Sequence, residues 1–232
     1  MKTKLYAIPG TFCNKEVWDE LIKNLPTNIE LINIEIPQKQ TINEIVDALE
    51  ALLPKTPSLL MGFSFGGYLA SAFALKYPQR IKKLFVVSDA LDKLSDEDAL
   101  GRNQFAGFIE SEGFSGIGKE MVVEAVHPSR VDDIQLHENI MVMSQSMPMQ
   151  AAKNQLLATT TRADILMKVA ELKFSCWFLI GDVDNTFDNS NVFEIVKHKN
   201  NIKLEVIAQS GHFLPLEQPS VLADWLVNWL EE

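Results

Sequence analysis

Cysteine is scarce: Cys13 and Cys176 are the only two in 232 residues. That excludes a disulfide framework and makes a reducing, cytoplasmic setting the simpler expectation. Neither belongs to a metal-type spacing, so no metal and no cofactor is expected. Basic charge is also short, 21 Lys and Arg against 31 Asp and Glu, net −10. A phosphate-backbone partner needs clustered Lys and Arg, so nucleic acid is excluded as a partner, and anionic membranes are poorly attracted. No apolar run approaches the ~18 residues of a membrane span. The short stretch after Met1-Lys2-Thr3-Lys4 meets Pro9-Gly10 too soon to read as a signal peptide. Repeats and low-complexity linkers are missing too. What remains, 47% hydrophobic and 22% charged, suits one globular domain with room for an inserted lobe.

The chain is organised around Leu59-Leu60-Met61-Gly62-Phe63-Ser64-Phe65-Gly66-Gly67. An apolar run becomes a turn, and Tyr68 to Leu75 continues as a helix stopped by Tyr77-Pro78. Glycines two residues either side of Ser64 are what such a turn requires. A Cβ at either place would strike the neighbouring strand or helix. The Ser oxygen is thereby held above the sheet edge, near the helix's N-terminal amides. Taken alone, Gly-x-Ser-x-Gly arises by accident roughly one time in ten in a chain this long. The bland alternative is a Gly-rich helix start with Ser64 as N-cap; the strand-to-helix position favours the nucleophile.

Around that turn the chain alternates. Strands are expected at 4–8, at 29–36, in the apolar run from Leu59 and at 81–87, with helices at 16–25 and 42–53, the latter opened by the cap pair Thr41 and Glu44. Near-continuous apolar strands between helices imply a parallel sheet covered on both faces. Its ligands would bind beyond the carboxyl ends of the strands, where Gly10, Ser64 and Asp89 fall. From 90 to 173 the alternation stops, and helices are expected near 96–112, 116–126, 131–147, 149–159 and 164–170. Six of the eight Met lie here, with Phe105, Phe108 and Phe114. They suit a lid with an adaptable apolar underside or the lobe's own core; both are expected, with core packing taking the majority. The sheet resumes at 174–180 and 203–207, with a helix at 189–197 between, and the last helix carries an apolar stripe through Trp225 and Trp229.

A serine hydroxyl needs an imidazole to take its proton and an acid to orient that imidazole. Of four His, His198 lies in a charged run, His137 in a polar helical stretch, and His127 in the helical lobe as a loop or surface residue. His212 alone follows a strand end, in a Gly-His turn. Asp182, Asp184 and Asp188 compete for the acid role after the preceding strand. Glu217 is expected to start the final helix, where its charge suits the dipole.

In these motifs the chain resembles the α/β-hydrolases, in particular small bacterial carboxylesterases. Gly62 to Gly67 matches the nucleophile elbow, Gly181-Asp182-Val183-Asp184 the acid loop, and Ser210-Gly211-His212-Phe213-Leu214-Pro215 the histidine loop. The resemblance implies an α/β-hydrolase fold with a reduced, mostly parallel six-stranded sheet flanked by helices, two strands fewer than the family pattern. Its core would span 1–89 and 174–232, with a helical cap over 90–173. It implies catalytic Ser64, Asp184 and His212, an oxyanion hole at the Phe65 and Thr11 amides with Phe12 as the fallback, and substrate contacts from Phe12, Asp89 and Phe213. The other reading of Asp89 is as a cap on the segment that follows it. Arg162-Ala163-Asp164 matches a recurring segment of structural role. Pro9 stands where the family has His, so the support of the oxyanion loop must differ.

The activity so implied is hydrolysis of a carboxylic ester or thioester with an apolar acyl or alkyl group, through an acyl-enzyme. The partner is a small-molecule ester, free or carrier-linked; the oligomeric state stays open. Carbon–carbon bond hydrolysis or lyase chemistry on the same three residues is the alternative, as is a ligand-binding receptor that has kept them. Epoxide hydrolase and haloalkane dehalogenase chemistry is disfavoured, because they place Asp where Ser64 stands.

Overall fold

The computed structural model describes residues 2–232; Met1, at the head of the expected core, lies outside the described residues. Six parallel strands form one sheet: β1 (Thr3–Ile8), β2 (Ile29–Asn33), β3 (Ser58–Phe63), β4 (Ile81–Val87), β5 (Cys176–Gly181) and β6 (Ile202–Ile207). Their order is β2-β1-β3-β4-β5-β6. The chain therefore steps outward from β1 to β2, then returns to β1's other side and runs to the far edge. Loops leaving β1 and β3 diverge at this reversal and open a crevice at the carboxyl ends, where ligands of such sheets bind.

Period-two alternation sends side chains to two faces, and both are buried. Leu59, Met61 and Phe63 of β3 join Leu5, Phe85 and Trp177 in one apolar cluster with α1 (Asp19–Asn24) and the final helix. Leu60 joins Ile8, Leu84 and Phe178 on the other face, beneath α2 (Ile42–Leu52) and α3 (Phe65–Lys76). Thr41 opens α2 as expected: its hydroxyl accepts the Glu44 N–H and donates to the Glu44 carboxylate. β2 is shorter than its apolar run. Asn33 pairs with Ala7, one residue from the end of β1, so Ile34 to Ile36 has almost no strand left to bind.

Between β4 and β5 lie α4 (Asp96–Glu112), α5 (Lys119–Ala125), α6 (Ile134–Gln145), α7 (Met149–Thr159) and α8 (Leu166–Val169). α5 begins later than the periodicity suggests, because Gly116 turns at φ +92° and Gly118 sits at the N-cap. Asp133 caps α6 through the Leu136 N–H, and Pro148 follows its end. These helices share the sheet's cores: Ile109, Val122 and Ile140 join the β3 cluster, and Ala158 and Val169 the opposite one. Of the Met residues here, Met143 is buried, Met141 and Met147 pack against the core, and Met121, Met149 and Met167 are exposed. Core packing thus takes half of them. His137 is buried, and its Nε2 meets the Arg130 carbonyl at 3.0 Å. α9 (Ser190–Val196), α10 (Leu214–Glu217) and α11 (Pro219–Glu231) complete the chain, with Leu222, Leu226 and Trp229 of α11 buried against the sheet.

Two glycine substitutions separate close backbone contact from mere helix propensity. A Cβ at Gly66 would overlap the Ile8 and Pro9 carbonyls, whereas Gly107 in α4 has open space around it. Gly66→Ala is expected to cost about 3 kcal/mol or more, and Gly107→Ala to add about 0.5–1 kcal/mol. Urea unfolding curves of the two variants check both signs.

Candidate active site

Ser64 stands between β3 and α3 at φ 52°, ψ −126°, a conformation L-residues seldom adopt. Close approach on both sides enforces it. A Cβ on Gly62 would overlap the Gly66 carbonyl at the head of α3, and one on Gly66 the end of β1. Five non-glycine residues have positive φ among the described residues: Phe12, Ser64, Ser88, Leu91 and Gln209. All five lie in loops leaving carboxyl ends of strands, where strain of this kind gathers around function.

The Ser64 Oγ lies 2.9 Å from His212 Nε2, and His212 Nδ1 lies 2.9 Å from Asp184 Oδ2. Asp184 is the acid in contact; its other oxygen accepts the Thr186 N–H at 3.0 Å. The two rival aspartates do other work. Asp182 accepts the Gln209 and Ser210 N–H groups, and Asp188 the Ser190 N–H at the head of α9. His212 is held through its backbone as well, its N–H donating to the Ala125 carbonyl at 2.7 Å.

Glu217 differs from expectation. It ends α10, not the start of α11, and is 97% buried, being 3% exposed. Its carboxylate accepts the Gly211 and His127 N–H groups, so it ties the histidine loop to the segment after α5. Burial pushes this carboxyl above the usual range, against those donors. His127 is part of that fastening and opens the turn Pro128–Arg130. His198 is exposed and its side chain takes no part in these contacts.

The oxyanion-loop candidates are placed as follows. Phe65 is the first residue of α3, and no acceptor takes its N–H among the described residues. Thr11 lines the cleft beside Ser64, and its N–H is likewise without an acceptor there. The Phe12 N–H, the fallback, is occupied: it donates to Gln155 Oε1 at 2.9 Å. Gln155 comes from α7 and is buried. Sequence reading missed it, although a glutamine among Ala151, Ala152, Leu156 and Thr159 on a buried helix face is the kind of polar residue that needs a stated partner.

Above Ser64 opens a cleft of about 410 Å³ whose apolar walls include Phe12, Phe105, Ile117, Met121, Leu156 and Phe213. Phe12 stacks on Phe114 at 5.1 Å and meets Phe105 edge-on at 6.1 Å. Phe213 packs on Phe63 and on the His212 ring. Asp89, expected to touch substrate, borders a second, polar chamber, with its carboxylate already engaged. Arg162 grips both oxygens at 2.8 and 3.0 Å, and the Leu91 N–H adds a third bond at 2.7 Å. Its capping alternative is therefore the one that the hydrogen bonds follow. Arg162 also donates to the Asp92 carbonyl, and the adjoining Ala163 exchanges two hydrogen bonds with the Tyr68 hydroxyl. The Arg162-Ala163 segment is accordingly a structural clasp.

No group of three or more His, Cys, Asp and Glu suited to a metal ion occurs among the described residues. Burial of the His212 ring opposes its charged form. The charge and hydrogen bond of Asp184, reinforced by Asp89 and Glu217, outweigh this and hold the imidazole above the ordinary histidine value of 6.5. Burial would likewise raise Asp184, but His212 and the Thr186 N–H carry it below the usual carboxylate range. The extra proton affinity of His212 stabilises the fold fully below about 6.5, and that contribution is lost as pH rises through the higher folded-state value. An NMR titration of the His212 ring should therefore give a midpoint above 6.5, and Asp184→Asn should move it down. A midpoint at or below 6.5 that ignores the substitution would contradict the pairing.

Comparison with known proteins agrees with this fold. A family model described as alpha/beta hydrolase fold matches residues 34–112, which include the Ser64 turn. The human monoacylglycerol lipase ABHD6 is 21% identical over 99% of this chain and 75% of its own length. A pimeloyl-[acyl-carrier protein] methyl ester esterase of Pectobacterium carotovorum is 23% identical over 99% of this chain and 94% of its own. Among solved structures, a thermophilic esterase from Thermogutta terrifontis superimposes with a TM-score of 0.86 at 21% identity, covering 100% of this chain and 90% of that one. The enol-lactonase from Burkholderia xenovorans gives 0.85 at 15% identity, covering 100% and 92%. With its all-parallel six-stranded sheet and its strand-turn-helix at Ser64, the chain has the α/β-hydrolase fold.

Proposed function

We propose that the protein is a serine esterase, cleaving carboxylic esters or thioesters with an apolar acyl or alkyl group through an acyl-enzyme. The observation that carries this reading is the run of two 2.9 Å contacts from Ser64 through His212 to Asp184, opening into an apolar cleft. The relatives whose names state a reaction act on esters of acyl groups, a monoacylglycerol in one case and a carrier-linked methyl ester in another.

In the first half-reaction His212 Nε2 takes the Ser64 proton as Oγ attacks the carbonyl carbon. Asp184 keeps the other ring proton on Nδ1 and stabilises the imidazolium. The carbonyl oxygen, now charged, rests on the Phe65 and Thr11 N–H groups, with the N-terminus of α3 behind it. His212 then gives its proton to the leaving alcohol or thiol. Water repeats the sequence on the acyl-enzyme and frees the acid. Residues 90–173 act as the cap, supplying Phe105, Ile117, Met121 and Leu156 to hold the apolar group.

Gln155 belongs to this machinery as a positioning residue. It fixes the Phe12 amide, and with it the loop that presents Thr11, where Pro9 offers no side-chain donor. Neutral 4-nitrophenyl esters provide the test. The wild type is expected to turn them over and to be labelled on Ser64 by a fluorophosphonate, and Ser64→Ala to do neither. Gln155→Leu should lower kcat about tenfold or more with little change in KM, while Gln155→Glu, which keeps an acceptor for the Phe12 N–H, recovers part of it. Absence of both turnover and labelling in the wild type would sink the esterase reading.

A further inference from the structure

Ser64 sits where two chambers meet. Beside the apolar cleft lies one of about 310 Å³ that also reaches Ser64 and Thr11 but is walled largely by charged groups. Most of those charges already have partners. Asp89 is gripped by Arg162, and Asp92 lies 3.6 Å from the same guanidinium. Asp98 accepts the Ser95 hydroxyl at the head of α4, and Asp188 the Ser190 N–H. Lys93 is out in solvent.

Arg102 is the exception. It projects from the second turn of α4 and lines both chambers. Among the described residues it makes no hydrogen bond and no ion pair; Asp98 and Asp89 act on it only from beyond contact. Its surroundings are otherwise unhelpful, since burial disfavours its charge and Arg162 adds repulsion. A guanidinium cannot shed its proton to escape this. A partly buried cation without an acceptor costs free energy that an incoming anion would recover. A planar fork of N–H donors is matched by an oxyacid anion, which it binds in bidentate fashion.

We propose that Arg102 receives a carboxylate or phosphate group carried by the substrate, so that this enzyme acts on esters with a negatively charged end. The scissile carbonyl lies over Ser64, the apolar part occupies the larger cleft, and the anionic end meets Arg102 at the junction of the chambers. The proposal rests on the esterase reading for its chemistry, but the anion site itself does not.

Two matched ester pairs locate the charge on the substrate. Mono-4-nitrophenyl adipate against 4-nitrophenyl hexanoate places it on the acyl side, and 4-acetoxybenzoate against its methyl ester on the alcohol side. In at least one pair, Arg102→Gln should lower the charged-to-neutral ratio of kcat/KM by about 10–100-fold, mainly through KM. Arg102→Lys, which keeps the charge without the fork, should restore part of the ratio. Binding is read separately in the Ser64→Ala protein, where monomethyl adipate or 4-acetoxybenzoate should raise the melting temperature and Arg102→Gln should abolish that rise. A rise that depends on Arg102 without any ester turnover in the wild type would uphold the anion site while removing the esterase reading. A ratio that Arg102→Gln leaves unchanged in both pairs, or a melting shift indifferent to it, overturns the proposal.

Discussion

The structure depends on one crowded place, where the end of β1, the end of β3 and the start of α3 come within van der Waals distance. Gly62 and Gly66 make that approach feasible, because a side chain at either would overlap backbone of a neighbouring element. The chain between them has no room for ordinary geometry, and Ser64 takes up the strain at φ 52°. Such a conformation costs on the order of 1–3 kcal/mol and persists only when its surroundings over-determine it. Two apolar clusters, one on each face of the parallel sheet, supply that determination. What the strain secures is a serine oxygen raised over the sheet edge, beside amides whose N–H groups have no acceptor among the described residues.

The imidazole reaches that oxygen by a different means. Its loop is fastened on three sides by polar contacts to other elements: Asp182 after β5, Glu217 in α10 and the Ala125 carbonyl at the end of α5. The last of these belongs to the helices inserted between β4 and β5. Gln155 and Arg162 reach from the same insertion to the loops after β1 and β4. The insertion is thus built into the site's walls and its polar scaffold, and its apolar residues share the sheet's cores. A change in how it packs would be felt at Ser64 through those three fastenings.

Much of this was legible in the sequence, for physical reasons. Strand-helix alternation reports a doubly covered sheet because burial on both faces requires continuous apolar strands, and α4 and α7 fall where periodicity places them. The Ser64 turn was legible because sterics leave few residue types at positions 62 and 66. His212 and Asp184 were reachable from strand ends, although choosing Asp184 over Asp182 and Asp188 needed the family resemblance. The roles of Glu217, Gln155 and Arg102 were not legible. Each depends on which backbone groups or charges a fold brings near it from remote parts of the chain, and no local pattern encodes that. The reach of β2 was overestimated because strand length is set by the partner, and β1 stops at Pro9.

The central claim is that charge developing on a substrate carbonyl over Ser64 is met by the Thr11 and Phe65 amides. A crystal structure of the protein after reaction with an alkyl phosphonate tests it most directly. The account predicts phosphorus bonded to Ser64 Oγ, with one phosphonyl oxygen accepting hydrogen bonds from the Thr11 and Phe65 N–H groups and the Phe12 N–H still on Gln155. An adduct whose oxygen points away from both amides, or bonds the Phe12 N–H instead, would contradict it.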